Sequence, residues 1–315
     1  MKTSGIGGQA VLEGIMMKNK DQYAVAVRKP DHGIEVCVKE HKSITERFKI
    51  LGIPFIRGVF NFIDSMILGI STLTYSAGFY EEEETEQVKT DDKKEDMPGD
   101  SSLKEKTEGL IMGVTVAVSI VMALGLFIVL PSLLSDLIQR QVNIDSYAVI
   151  SLIEGVIRIV IFLLYIILIS RMKDIQRTFM YHGAEHKCIN CIEQGLELNV
   201  ENVLKSSRLH RRCGTSFLFL VMAVSIVFFI LIPIQNPVWK VVIRLLFIPV
   251  IAGVSYEILR LAGRSNNLIV RIVSAPGMAL QKLTTNEPDA EQVEVAIKAV
   301  EAVFDWKEFL ENYEV

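Results

Sequence analysis

Three observations predict a mainly α-helical integral membrane protein, with about four transmembrane helices, a small cytosolic N-terminal α+β region and a C-terminal amphipathic helix. Half of the 315 residues are hydrophobic and the mean hydropathy is positive, which is too apolar for one water-soluble core. Four runs approach or exceed the roughly 20 apolar residues that a helix needs to cross a hydrocarbon core of about 30 Å. Near the N-terminus two short runs instead alternate apolar and polar residues, the period of strands.

Residues 1–52 form the cytosolic region. Gly5, Gly7 and Gly8 crowd its start and let the chain approach another segment closely; Glu13 interrupts the apolar run that follows. The runs QYAVAVRK and GIEVCVKE, separated by Pro30, Asp31, His32 and Gly33, predict a β-hairpin with a turn of about four residues. His32 is then a solvated turn residue and Cys37 a strand packing residue. Residues 53–80 are apolar but broken by Pro54, Arg57 and Asp64, which suits an interfacial or re-entrant segment. Residues 81–108 open on EEEE and contain MPGDSS, the composition of an acidic disordered linker.

The membrane domain covers 109–261. Its spans are expected at Leu110 to Leu134, which has no charged residue, at Tyr147 to Ser170, at Phe217 to Ile234 and at Val238 to Leu261, with Pro249 as a kink in the last. Glu154 and Arg158 stand four apart on one helical face, where each neutralises the other; Arg244 and Glu257 lie in the fourth span. The loop 171–216 is rich in Lys and Arg while the two short loops are not, so the positive-inside rule puts that loop in the cytoplasm. A fifth crossing at 53–80 would force it outside if the basic N-terminus is cytosolic, hence four crossings. In 262–315, a membrane-surface piece interrupted by Pro276 and Gly277 precedes a soluble helix from Glu287 to Asn312. That helix presents Val293, Ile297, Val300 and Phe304 as a docking face for the hairpin region.

The net charge of −4 averages an acidic stretch with basic loops and suggests no nucleic-acid partner. Four cysteines without a cleavable signal peptide, three of them beside histidines, indicate reduced thiols or a metal site in the cytosol rather than a disulfide framework.

Chemistry concentrates between Tyr181 and Thr215, which hold three of the five histidines and three of the four cysteines. His182, Glu185 and His186 form H-x-x-E-H. On a helix this puts both imidazoles within reach of one ion with Glu185 beside it as general base. Cys188 and Cys191 follow as C-x-x-C, and His210 and Cys213 as H-x-x-C, a ligand set suited to a divalent transition metal, zinc first. A catalytic site needs about three protein ligands and an open position, met by His182, His186 and either His210 or Cys213. A closed structural site would use all four; Cys191 is a fallback and Cys188 a packing residue. Glu193, Glu197 and Glu201 are candidate carboxylate ligands, although acidic loop residues are ordinarily solvated. Glu13 either closes over the site or pairs with Lys18.

GIGGQAVLEGIMMK at 5–18, YHGAEHK at 181–187, RLHRRCGTSF at 208–217 and AGVSYEILRLAGR at 252–264 resemble a bacterial family of unknown function. Its members are polytopic membrane proteins commonly labelled metal-dependent enzymes. The resemblance implies motif positions at His182, Glu185, His186, His210 and Cys213, with Gly8, Gln9, Glu13 and Gly14 at the N-terminus. The family pattern carries Pro where this chain has Arg211.

These readings lead to a metal-dependent enzyme of the bacterial cell membrane, multi-pass, with termini and His/Cys loop cytoplasmic, hydrolysing a lipid-borne or membrane-protein substrate. Lys187, Arg208 and Arg212 would steer an anionic headgroup or simply set topology. Membrane lipids or membrane proteins are the expected partners, and homo-oligomerisation is compatible with this reading. The alternative is a non-catalytic scaffold or assembly factor for membrane-protein or envelope biogenesis, with the cluster stapling the loop to the N-terminal region. A third reading is a transporter using Glu154, Arg158, Arg244 and Glu257.

Overall fold

The computed structural model describes residues 3–91, 101–234, 236–263 and 267–312. Four strands, β1 (Gly7–Val11), β2 (Gly14–Asn19), β3 (Gln22–Arg28) and β4 (Ile34–Glu40), form one antiparallel sheet in the order β1-β2-β3-β4. The expected hairpin is β3–β4. The glycine-rich start, expected only as a permissive stretch, adds β1 and β2 through a two-residue turn at Leu12 and Glu13, with Val11 opposite Gly14. Glu13 takes φ +48° there, a left-handed conformation uncommon for a residue with a side chain. The segment 41–55 that follows includes a short helix, α1 (Ile44–Arg47).

The two central strands are buried on both faces. Val11, Met16, Tyr23, Val25 and Val27 pack with Leu68 of α2 (Ile56–Asp91). On the other face, Ile6, Ile15, Met17, Ala24 and Ala26 join the core of α6 (Lys173–Glu193) and α11 (Ala290–Glu301). Alternate residues of β2 and β3 thus enter two different apolar cores, each fully buried large side chain contributing about 1.5–3 kcal/mol. The predicted docking face on α11 lies against this sheet, with Val293 and Val300 fully buried. The C-terminal helix ends sooner than expected, at Glu301, and a separate turn of helix, α12 (Trp306–Glu311), follows. A capping box at Asp289 and Gln292 starts α11.

Among the described residues, five helices or helical stretches are long and apolar enough to cross a membrane, at Ile56–Tyr80, Gly113–Val142, Tyr147–Ile169, Gly214–Leu231 and Val238–Ala262. The segment expected to be interfacial or re-entrant is one continuous helix, α2. Its first half packs on α9 (Pro237–Ala262), where Arg57 pairs with Glu257 at 2.6 Å and Gly58 abuts Gly253. Its second half lies on the sheet: Ser76 Oγ accepts from Leu12 N–H at 3.1 Å and Gly69 O accepts from Gln9 Nε2 at 3.1 Å. The expected disordered linker falls partly outside the described residues, at 92–100. Elsewhere its backbone is helical, in the end of α2 and the start of α3 (Ser101–Leu124).

The chain divides into two compact units, one of residues 1–84, 166–221 and 249–315, the other of 85–165 and 222–248. In the second, α3 passes through a π-helical turn (Gly125–Val129) into α4 (Leu130–Val142). Pro131 has no N–H for the carbonyl four residues back, and that carbonyl, Phe127 O, accepts from Arg158 Nε at 3.0 Å instead. Arg158 belongs to α5 (Tyr147–Ile169) and also reaches Glu154 at 3.1 Å. Lys240 and Arg244 of α9 bond the same carboxylate. The predicted pair is therefore a larger network, whereas Glu257 is paired separately with Arg57.

Candidate functional site

After α5 the chain turns at 170–172 and restarts as α6, so the H-x-x-E-H helix is not a continuation of the membrane helix. From Tyr181 to Glu193, every residue of α6 except His182 is buried. Gly183 is required for this: a Cβ there would strike the carbonyl oxygen of Asn286, whose N–H donates to Phe179 O at 2.8 Å. That close approach brings in the end of α10 (Leu268–Thr284), a single helix despite Pro276 and Gly277. Gly277 faces Ser216, leaving no room for a larger residue.

The two motif histidines are oriented alike. His182 Nδ1 lies 2.9 Å from Thr284 O and His186 Nδ1 lies 2.7 Å from Arg208 O. A carbonyl only accepts, so each Nδ1 carries a proton, and the tautomer this selects has its lone pair on Nε2. His182 Nε2 stands 3.2 Å from Cys213 Sγ. Ligand atoms of His182, His186 and Cys213 all lie within 4.8 Å of one another. Bond lengths of about 2.0–2.1 Å to nitrogen and 2.3 Å to sulfur put tetrahedral ligands roughly 3.5 Å apart, so the three atoms are grouped near enough to share one ion but would draw in by up to about 1 Å to hold it. The backbone carbonyls on Nδ1 are the outer partners such ligands ordinarily have.

His210 stands outside that group. Its ring lies 5.5 Å from His186 between centroids, while its Nε2 is 3.9 Å from Glu193. Burial holds its pKa below the ordinary histidine value, against the pull of Glu193. Gln281 of α10 clamps its main chain, accepting from His210 N–H at 2.8 Å and donating to His210 O at 2.7 Å. Cys188 and Cys191 are fully buried in the apolar core, and burial raises the thiol pKa of Cys188 well above, and that of Cys191 to about 11. Both are protonated packing residues at neutral pH.

Glu185 is 5% exposed, and its Oε2 has no hydrogen-bond partner. Burial raises its pKa, opposed by His182 and by the Gly8 N–H. A buried carboxyl with a free oxygen and a raised pKa has the attributes of a general acid or base. It lines a cavity of about 670 Å³ together with His182, His186, His210 and Cys213.

Several neighbours are placed differently from expectation. Glu13 neither covers the site nor pairs with Lys18; it bonds Arg177 and accepts from Tyr181 Oη at 3.3 Å, tying the first hairpin to α6. Glu193 is buried rather than solvated. Burial alone would raise its pKa, but His210, Ser4 and Arg212 hold it at about 2. Ser4 donates to it from both N–H and Oγ at 2.8 Å, a role no sequence pattern marks. Lys187 and Arg208 both pair with Glu287, and Arg212 with Glu193. All three cations are thus paired within the protein.

The chain is 35% identical over 301 residues to the uncharacterized protein YqhQ of Bacillus subtilis, an alignment covering 93% of this chain and 90% of that protein. No solved structure matches it. The model of a family described as a protein of unknown function, DUF1385, matches residues 53–306, and with most of its length so covered the chain belongs to that family.

Proposed function

We propose that this protein is a metal-dependent hydrolase of the cytosolic face of the bacterial membrane, in which His182, His186 and Cys213 hold a zinc-type ion and Glu185 is the general base. The convergence of two Nε2 lone pairs and a sulfur beside the unpartnered Glu185 oxygen carries this reading. When bound, such an ion supplies Lewis-acid polarisation of the attacked carbonyl and of water. Glu185 takes the proton of the attacking water and returns it to the leaving group. The carbonyl carbon gains a C–O bond and loses its bond to that group.

The placement of these regions on one side rests on packing and parity, and the basic loop 171–216 assigns that side to the cytosol. The sheet packs on α6 and α11 within one unit, so the N-terminal region, the His/Cys loop and the C-terminal region share one side of the bilayer. Three apolar helical stretches separate the first two of these, and an even number must cross. The second half of α2 is engaged with the sheet, so α2 runs along the cytosolic surface and four helical stretches cross. An impermeant maleimide applied to intact cells should label Ser146→Cys, in the short loop after α4, and not Ser102→Cys. External labelling at 102 would mean that α2 crosses.

Elemental analysis tests the metal itself. The protein in nanodiscs, reconstituted under reducing conditions, is expected to carry about one equivalent of zinc or iron, and His182→Ala/His186→Ala none. A parent free of metal would overturn the reading.

A further inference from the structure

We propose that the cleft beside β1 binds an extended polypeptide as a fifth strand of the sheet, so that the substrate is the main chain of a membrane-associated protein; this rests on the hydrolase reading above. β1 is an edge strand, and the stretch Gly5 to Ala10, which leads into it and runs along it, forms one wall of the cavity of about 670 Å³. With Val11 opposite Gly14 closing a two-residue turn, hydrogen-bonded pairs alternate along the ladder. Gly8, Ala10 and Leu12 therefore present their N–H and C=O groups away from β2. One partner agrees with this: Leu12 N–H donates to Ser76 Oγ at 3.1 Å, on the side away from β2. Ala10 lies two residues before it on the same edge.

The cleft continues the layering of the sheet. α2 covers one face and contributes Ser65; α6 covers the other and contributes Phe179, His182 and Glu185. A strand placed about 4.8 Å beyond β1 would lie between those two helices with its carbonyls passing the His/Cys cluster. Three of the six residues of that wall, Gly5, Gly7 and Gly8, carry no side chain. Gly5 has φ +77°, and a Cβ at Gly5 or Gly7 would meet open space. Main-chain pairing supplies affinity and alternate side-chain pockets supply selectivity, as in other additions of a strand to an exposed edge. Cleavage then adds water across one amide: the C–N bond breaks, the carbonyl carbon takes the hydroxyl, and the amine leaves with the proton that Glu185 returns.

The test uses the full-length chain in nanodiscs loaded with Co(II), read by its visible absorption, and three hydroxamates: acetohydroxamate, an octanoyl hydroxamate and an apolar tetrapeptide hydroxamate. The tetrapeptide is expected to bind about tenfold or more tighter than acetohydroxamate, the gain of two or three main-chain hydrogen bonds. Methylating its amide nitrogens one at a time should erase the gain at alternate positions only, the signature of strand pairing. Ala10→Pro, which removes an outward-facing donor at an edge where proline is tolerated, should erase it too, so that the tetrapeptide then binds no tighter than acetohydroxamate. Acetohydroxamate binding without a peptide gain, or a gain insensitive to methylation, overturns the polypeptide inference and spares the metal site. A larger gain for the octanoyl probe overturns it in favour of a lipid. Absence of Co(II) uptake overturns the hydrolase reading, and the inference with it.

Discussion

Glu185→Gln is expected to leave the metal content at the parent level, to leave the melting temperature unchanged or higher, and to lower hydrolysis by about 10²- to 10⁴-fold. The three outcomes have one cause. Glu185 is buried with an unpartnered oxygen, an arrangement that costs stability and is retained where chemistry uses it. Glutamine keeps the shape, removes the ionisable oxygen and touches none of the three proposed ligands. Elemental analysis, thermal denaturation in detergent and turnover of fluorogenic esters and acylated peptides in nanodiscs measure the three separately. A variant that melts far lower while keeping its activity would make Glu185 a structural residue.

Glu154→Gln is expected to destabilise the protein by about 3–5 kcal/mol, the range for breaking a buried ion pair from one side. Glu154 is 1% exposed and is the shared acceptor for Arg158, Lys240 at 3.3 Å and Arg244. Asp136, 2.7 Å from Lys240, is the other carboxylate in the network. Three cations then face one carboxylate in a region with little water to screen them. Denaturant unfolding in micelles reads the change. Arg158→Leu in the Glu154→Gln background should recover part of the loss, because it removes one of the stranded charges. A change below about 1 kcal/mol would show that the cations find other partners.

Much of this was legible in the chain alone, for a definite reason. Long uncharged runs and the i, i+4 spacing of His182 and His186, or of Glu154 and Arg158, follow from local helix geometry, which depends only on neighbouring residues. The apolar face of α11 is of the same kind. The hairpin β3–β4 was visible because its strands alternate and a turn divides them. β1 and β2 were hidden because glycine has no strand preference to read, and their turn uses Leu12 and Glu13 rather than Asn-Gly.

Tertiary structure alone decided which of the candidate ligands meet. His182, His186 and Cys213 converge, and His210 turns to Glu193, because Thr284, Arg208 and Gln281, distant in sequence, supply the hydrogen bonds that set ring orientation and loop path. No local spacing encodes those bonds. The role of α2 was undecided for the same reason. Its composition suits either a span or a surface helix, and the contacts of its second half with the sheet, on which the proposed surface placement rests, are long-range ones. The sequence determined which segments are apolar helices and which residues can ligate or ionise; long-range packing determined which of them face one another.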